Sequence, residues 1–561
     1  MKLLTKELKC KFLDVMKIYQ GRVMPIVFGM CMCLGFSFYK YNSWEGCFGS
    51  LYSEVIFVAA TIIMAALYKI AVSFLYYGLD RLPTLKPFRW NFAERFFESR
   101  IFIHSFLFLI ICWLPFLILC FPGGLCVDAS YQIMQVLGEA AYSTQQPLVH
   151  TLLLGGLVKL GGAFGSYDLG LYGYIWLQSF VFAAILALSI TYLKKWKIKS
   201  KILCVILFIY GLVPVYPNFA TMAIKDTLYS AFCLLFVITL VDVIMHLKNW
   251  EINNKESNRE LYLSLTKLGI AGILTMLFRN NGLYLVGITA FCLCLALLFS
   301  KKQFSDIKNR IKIISVVALI APIILYFVIN SLMVYGLSAE KGTTREMLSI
   351  PFQQTARYIR DYGDEVTKEE KTVISKVLNN YDSLGKVYNP DISDPVKSLY
   401  NIEAGNKDLK AYFKVWFNQL VKHPGCYVQS TANLAYGWFY PGVSNIIRYE
   451  ADMQIFWKPG IFVNLNTIMK TIYSKLNSFF LYQILQNVGF YTWLLFILTG
   501  YTRYHKKENN VLMLVPLYVS LLICIASPGF FLHPRYAFPI MFSIPFLYAF
   551  AGGRERNTSC L

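Results

Sequence analysis

Residues 149–164 read VHTLLLGGLVKLGGAF, and where this stretch lies decides the topology of the whole chain. It is apolar but short, and it carries Lys159 and four glycines. A helix that crosses a bilayer needs about 20 predominantly apolar residues. If residues 149–164 crossed, the run Lys194, Lys195, Lys197, Lys199 and Lys201 would fall outside; if they lie in the interface, that run is cytoplasmic. The interfacial placement also puts inside the basic loops 79–100 and 301–311, the tail of Arg503, Lys506 and Lys507, and the C-terminal Arg554 and Arg556. It satisfies the positive-inside rule throughout. Both termini are then cytoplasmic, and the segment preceding residue 149 is external.

That segment, residues 121–151, reads FPGGLCVDASYQIMQVLGEAAYSTQQPLVHT. Pro122-Gly123-Gly124 stops the apolar helix 101–120 through a missing N–H and free φ. Asp128 then emerges just beyond the hydrocarbon. Tyr131, Gln132 and Gln135 follow at i+3, i+4 and i+7, so a helix puts all three on the face of Asp128. His150 closes the segment. An acid with polar neighbours on one helical face reads as a site; the plain alternative is that Asp128 caps the helix, a role for which Asp is well suited.

Composition confines the rest. Of 561 residues, 57% are hydrophobic and 15% charged, with mean hydropathy +0.50. Soluble domains carry about a quarter charged residues, so the chain is a polytopic membrane protein. The net charge of +21 is accounted for by cytoplasmic loops and needs no nucleic acid. The 14 cysteines fall mostly within apolar runs and form no CxxC, which argues against a zinc site. The basic N-terminus leads into an apolar run without a small-residue cleavage site, which reads as an uncleaved first span.

About twelve spans are predicted, near residues 23–39, 52–78, 101–120, 171–193, 202–216, 227–246, 267–278, 283–300, 312–335, 487–503, 511–528 and 536–552. The fold expected is an all-α polytopic membrane protein with interfacial helices in its first large external loop. Residues 1–335 are expected to form the transmembrane core, with a large external loop at 121–170 that carries the candidate site; 336–486 a mostly helical external domain; and 487–561 the last spans. Within the external domain, Thr367-Lys368-Glu369-Glu370 predicts a capping box. Trp416, Tyr427, Tyr436, Trp438 and Tyr440 serve there either as stacking faces or as core.

In this topology three cations reach the level of Asp128: Lys225 in AIKDTLY, Arg279 in RNNGLY beside Asn280, and Arg535 in HPRYAFP. Each has a plain reading of its own. Lys225 and Asp226 neutralise each other, Arg279 snorkels, and Arg535 anchors a helix end. Together around one carboxylate they suit a phosphate-bearing substrate, which Arg and Lys clamp with charge-assisted hydrogen bonds. They would also hold Asp128 ionised and competent as a base. Glu54 and Asp242 are weaker candidates, and the six histidines never pair at ligand spacing. No GxSxG, P-loop or HExxH is found, so serine hydrolysis and ATP hydrolysis have no support.

PGGLCVDASYQIMQ, QQPLVHT, AIKDTLY, RNNGLY and HPRYAFP resemble a bacterial branch of the GT-C superfamily of membrane glycosyltransferases, to which protein O-mannosyltransferases and lipid A aminoarabinose transferases belong. The resemblance implies a lipid-linked sugar donor, usually polyprenyl phosphate or diphosphate, bound from the bilayer. It implies transfer to a cell-envelope glycan, lipid or protein on the external face of the plasma membrane, generally with inversion. Asp128 matches the acid of the first external loop, as base or acceptor-orienting group. Lys225, Arg279 and Arg535 would stabilise the departing phosphate, with Tyr131, Gln132, Gln135, His150 and Asn280 around the substrate. Metal-using members carry paired acids in that loop; here Ala129-Ser130 follow Asp128, so no metal or other cofactor is expected. Glu139 is the reserve acid. A transporter or lipid flippase, or a polysaccharide polymerase, is the competing reading; the charges at the outer span edges and the lack of a repeated half weigh against transport.

Overall fold

The computed structural model describes residues 18–87, 91–251, 254–300, 307–443, 478–504, 508–526 and 534–554, together with Val15, Phe304 and residues 468, 471, 472 and 474–476. Lys506, Lys507, His505, His533 and Arg556, all drawn on above, lie outside the described residues, as does much of the expected stretch 444–477.

The described residues are mostly helical, with one two-stranded element among them. The first helices are α1 (Val23–Tyr41), α2 (Leu51–Arg81) and α3 (Ile101–Leu119). After strand β1 (Gly124–Leu125) come α4 (Val127–Leu137), α5 (Leu148–Ala163), α6 (Tyr167–Lys195) and α7 (Ser200–Leu212). Strand β2 (Met222–Ala223) leads into α8 (Lys225–Lys248), followed by α9 (Lys255–Phe278), α10 (Gly282–Phe299) and α11 (Asn309–Gly336). A separate helical unit contains α12 (Ser349–Tyr362), α13 (Lys368–Val377), α14 (Asn406–Lys422) and α15 (Pro424–Ala435). The last helices are α16 (Val488–Tyr504), α17 (Val515–Ala526) and α18 (Phe538–Gly553).

Nine helices among the described residues are long and apolar enough to cross a membrane, so the chain is a multi-pass membrane protein. The other three predicted spans fall below that length or are bent among the described residues. Helix α7 has 13 residues, because Pro214 forces Val213 out of the helical region. Helix α17 belongs to a short apolar segment, Val511–Ala526, and α16 is joined to Phe480–Gln486 at a bend of 66°. The stretch read above as interfacial is α5, a helix of 16 residues and, like α7 and Val511–Ala526, one of the shorter apolar helices.

Helix α8 is the axis of the bundle. Its apolar window is 94% buried, against 17% for α2, which faces outward. A helix that is apolar all round belongs in the interior, and α8 packs against α6, α9 and α18. Beside it, α5 and α6 form a hairpin whose backbones touch: a Cβ on Gly161 would lie 2.3 Å from the Gly170 nitrogen, so neither position admits a side chain.

The helical unit has its own core of Phe352, Ala356, Ile374, Leu384, Val396 and Tyr412. Its predicted capping box is formed, with Thr367 and Glu370 each accepting the other's backbone N–H. It docks on the turn after α1, where Asn433 Nδ2 donates to the Asn42 carbonyl at 3.0 Å and Ser43 donates to Gln429 at 2.8 Å. Of the aromatics weighed as stacking faces, Trp416, Tyr427 and Trp438 are packing residues here. Trp416 donates to Gln354 at 3.0 Å, the Tyr427 hydroxyl donates to the Trp416 carbonyl at 2.9 Å, and Trp438 is fully buried.

Strands β1 and β2 pair in parallel, Gly124 opposite Met222 and Leu125 opposite Ala223. The chain reaches β1 through Gly123 at φ +124°, where a Cβ would lie 2.5 Å from Ile175 Cγ1. Only glycine adopts this conformation without strain. Gly123→Ala is expected to destabilise the protein by at least about 1–3 kcal/mol, read as a lowered unfolding midpoint of the purified chain in detergent.

Candidate functional site

The pairing of β1 with β2 builds the site. Each strand runs directly into a helix, so the N-termini of α4 and α8 lie side by side. Asp128 is the second residue of α4, and Lys225-Asp226 are the first two of α8. Helix N-termini favour acids, and both acids occupy first turns.

The Lys225 ammonium donates to Asp128 Oδ2 at 3.0 Å and also to Gln146 Oε1. Asp226 does not pair with Lys225, contrary to the plain reading. Consecutive helical residues point about 100° apart, so Lys225 faces α4 while Asp226 turns inward, its side chain 1% exposed. There it accepts from Arg279 Nη1, and the Arg535 Nε lies 3.9 Å from its other oxygen. Arg279 therefore does not snorkel: it is buried between the rings of Tyr229 and Tyr536, at 5.3 and 5.1 Å. Arg535 donates to the Tyr536 hydroxyl at 3.1 Å, while its buried Nε finds no hydrogen-bond acceptor. Three cations against two acids leave one positive charge in excess.

Asp128 is not the N-cap of α4. Cys126 holds that position, and the Asp128 carboxylate turns to Lys225 with 39% of its side chain exposed. Burial pushes its pKa up, but Lys225, Arg535 and Arg279 outweigh it and hold the carboxyl below its ordinary value. Glu139, the reserve acid, is exposed beyond the other end of α4, about 16 Å along the helix axis.

The neighbours of Asp128 on its helical face divide. Gln132 and Gln135 are buried, whereas Tyr131 is 57% exposed. Gln132 donates to Thr151 Oγ1 at 3.1 Å and meets His150 Nδ1 at 3.1 Å. His150 Nε2 lies 2.7 Å from the Tyr174 hydroxyl, which donates to Gln178 at 2.9 Å. Gln178 in turn donates to the carbonyls of Phe219, Ala220 and Met222. This polar chain ties α4, α5 and α6 to the approach to β2. His150 is therefore a positioning residue behind Asp128; burial and Lys225 press its pKa to about 3, so its ring is neutral. Asn280 is also spent on structure, donating to the Thr144 carbonyl at 3.0 Å.

Gln146 belongs to a roof over the pair. The loop between α4 and α5 is bound at Thr144, whose N–H donates to the Glu340 carbonyl at 2.9 Å and whose hydroxyl accepts from the Gly342 N–H at 2.9 Å. Sequence reasoning had Gln146 within its QQPLVHT motif and Asp226 within AIKDTLY, but assigned neither to the site. Beyond Arg279 lies a cavity lined by Tyr229, Asn281, Ser520, Cys524 and Tyr536. Among the described residues, no three His, Cys, Asp or Glu side chains converge to hold a metal ion.

Chemically, the arrangement is an ionised, accessible carboxylate beside an ammonium, backed by two guanidiniums that share one buried acid. Removing that acid strands both. Asp226→Asn is expected to cost about 3–5 kcal/mol, the range for breaking a buried pair. Adding Arg279→Met should recover part of the loss, measured as unfolding midpoints of the single and double variants.

A family model described as a family of unknown function (DUF6020) matches residues 137–559, more than half of the chain. The match contains Lys225, Asp226, Arg279 and Arg535, while Asp128 precedes it. No curated protein and no solved structure matches the chain.

Proposed function

The chain belongs to the DUF6020 family, and we propose that it is a membrane glycosyltransferase of the GT-C type, moving a sugar from a polyprenyl-phosphate-type lipid to a cell-envelope acceptor. One observation carries this reading: the half-exposed Asp128 carboxylate is ionised beside Lys225, in a cluster with an excess positive charge at the start of the central helix. An acceptor hydroxyl gives its proton to Asp128 as its oxygen attacks the anomeric carbon. The bond from that carbon to the phosphate oxygen breaks on the opposite face, and its electron pair leaves with the lipid phosphate. Arg535 is the cation best placed to meet that charge, because Asp226 neutralises Arg279 more closely than Arg535. Arg279 acts from the wall of the adjoining cavity. No step depends on a metal.

In this reading the sites of transfer and the helical unit around α12–α15 are external, both termini are cytoplasmic, and the membrane is the plasma membrane of a bacterium. A cysteine introduced at Lys197 should stay unlabelled by a membrane-impermeant thiol reagent on intact cells, and one at Asp391 should react. Labelling at Lys197 would invert the orientation.

A transport reading draws on one feature, a second buried acid at the other end of α8: Asp242, bound by Lys195 at 3.0 Å. The chemistry separates the two. Asp128→Asn preserves shape, so folding and insertion should persist while sugar transfer falls by about 10²–10⁴. The assay follows a labelled sugar from polyprenyl phosphate to envelope acceptors in membranes. Because its neighbours hold Asp128 below the ordinary carboxylate range, its protonation should not limit the wild-type rate above about pH 4. Undiminished transfer by Asp128→Asn would overturn its role as base.

A further inference from the structure

The end of the bundle remote from Asp128 holds a second polar cluster, independent of any reading of the first. Asp242 lies 17 residues along α8 from Lys225, about 26 Å away along the helix axis. Its carboxylate is saturated: Lys195 Nζ lies 3.0 Å from Oδ1, His246 Nε2 lies 3.6 Å from the same oxygen, and Ser264 donates to Oδ2 at 2.7 Å.

Two groups near it find no oxygen acceptor among the described residues. Trp196, the C-cap residue of α6, has its indole Nε1–H buried and unbonded. Arg554, directly after α18, has its guanidinium 5.9 Å from the Trp196 ring. Its one recorded hydrogen bond runs from Nη1 to the Met245 sulfur at 3.2 Å, a weak acceptor, and it pairs with no carboxylate among the described residues. Burial lowers the Arg554 pKa, as expected of a cation without its counter-charge. Lys195 also lies near the ring, at 5.5 Å, but Asp242 already neutralises it. The indole's own buried N–H and the guanidinium beside the ring thus both lack an oxygen acceptor among the described residues.

We propose that Trp196 and Arg554 form the headgroup site of an anionic phospholipid. Trp196 ends a 29-residue apolar helix and Arg554 follows the span Pro534–Gly553, so both stand where hydrocarbon gives way to headgroups. Lipid phosphates lie at that depth, and basic pockets between spans collect anionic headgroups. The phosphate accepts from the indole N–H and from the guanidinium. A zwitterionic headgroup fits less well, because its own ammonium would stand beside Arg554.

The test uses the full-length chain purified in detergent, titrated with short-chain phosphatidylglycerol or phosphatidylcholine and read by native mass spectrometry. The wild type should retain phosphatidylglycerol in preference. Trp196→Phe, which keeps the ring and removes the N–H, and Arg554→Gln should each weaken phosphatidylglycerol about tenfold, the worth of one hydrogen bond to a charged acceptor. Neither should change phosphatidylcholine binding. Equal retention of both lipids by the wild type, or undiminished phosphatidylglycerol affinity in the two variants, overturns the proposal. So does displacement of the lipid by inorganic phosphate alone, which would make this a soluble-anion site.

Discussion

Two residues pairing with two others hold this architecture's polar end together. Gly124-Leu125 and Met222-Ala223 form the one sheet among the described residues, and the pairing is parallel. Parallel strands need long connections, and here the connection is the whole of α4 to α7. Because each strand feeds a helix at once, their register fixes the register of α4 against α8. Asp128 meets Lys225 for that reason, although 97 positions separate them.

Charge then has to be housed around that junction at little cost. An isolated buried ion is prohibitive, and a buried pair holds only when its geometry and hydrogen bonds are good. The chain meets this by division of labour. Asp226 is buried and compensates the guanidiniums, while Asp128 is left half open with a single ammonium. The chain of Gln132, His150, Tyr174 and Gln178 supplies the rigidity behind them, from neutral groups alone. Polar side chains in the interior are thus spent on holding helices, and the net charge sits where the bundle opens.

Much of this was legible in the sequence. Apolar run length located the nine long helices, and Pro122-Gly123-Gly124 marked the stop before the site. The charged residues that converge were visible as ions at span edges, where solvation makes them conspicuous. What could not be read was who pairs with whom. Adjacent Lys225 and Asp226 look like partners on paper, and only the helical rotation between them sends one to Asp128 and the other to Arg279. The role of His150 was hidden for the same reason, since a histidine's neighbours are set by packing of three helices. Span length misled where proline interrupts an apolar run, as at Pro214 after α7.

The order of residues along the chain also sets the order in which the charges arrive during synthesis. Asp128, Lys225, Asp226 and Arg279 all emerge from the ribosome well before α18, and as a set they are electrically neutral. A nascent chain can therefore settle its first spans around this tetrad without stranding a net ion at the bilayer edge. The roof follows once Glu340 and Gly342 have been made. Arg535 comes after the other four, just ahead of α18, and brings the unbalanced charge with it. The excess positive charge of the cluster is thus assembled only once α18 has joined the earlier helices.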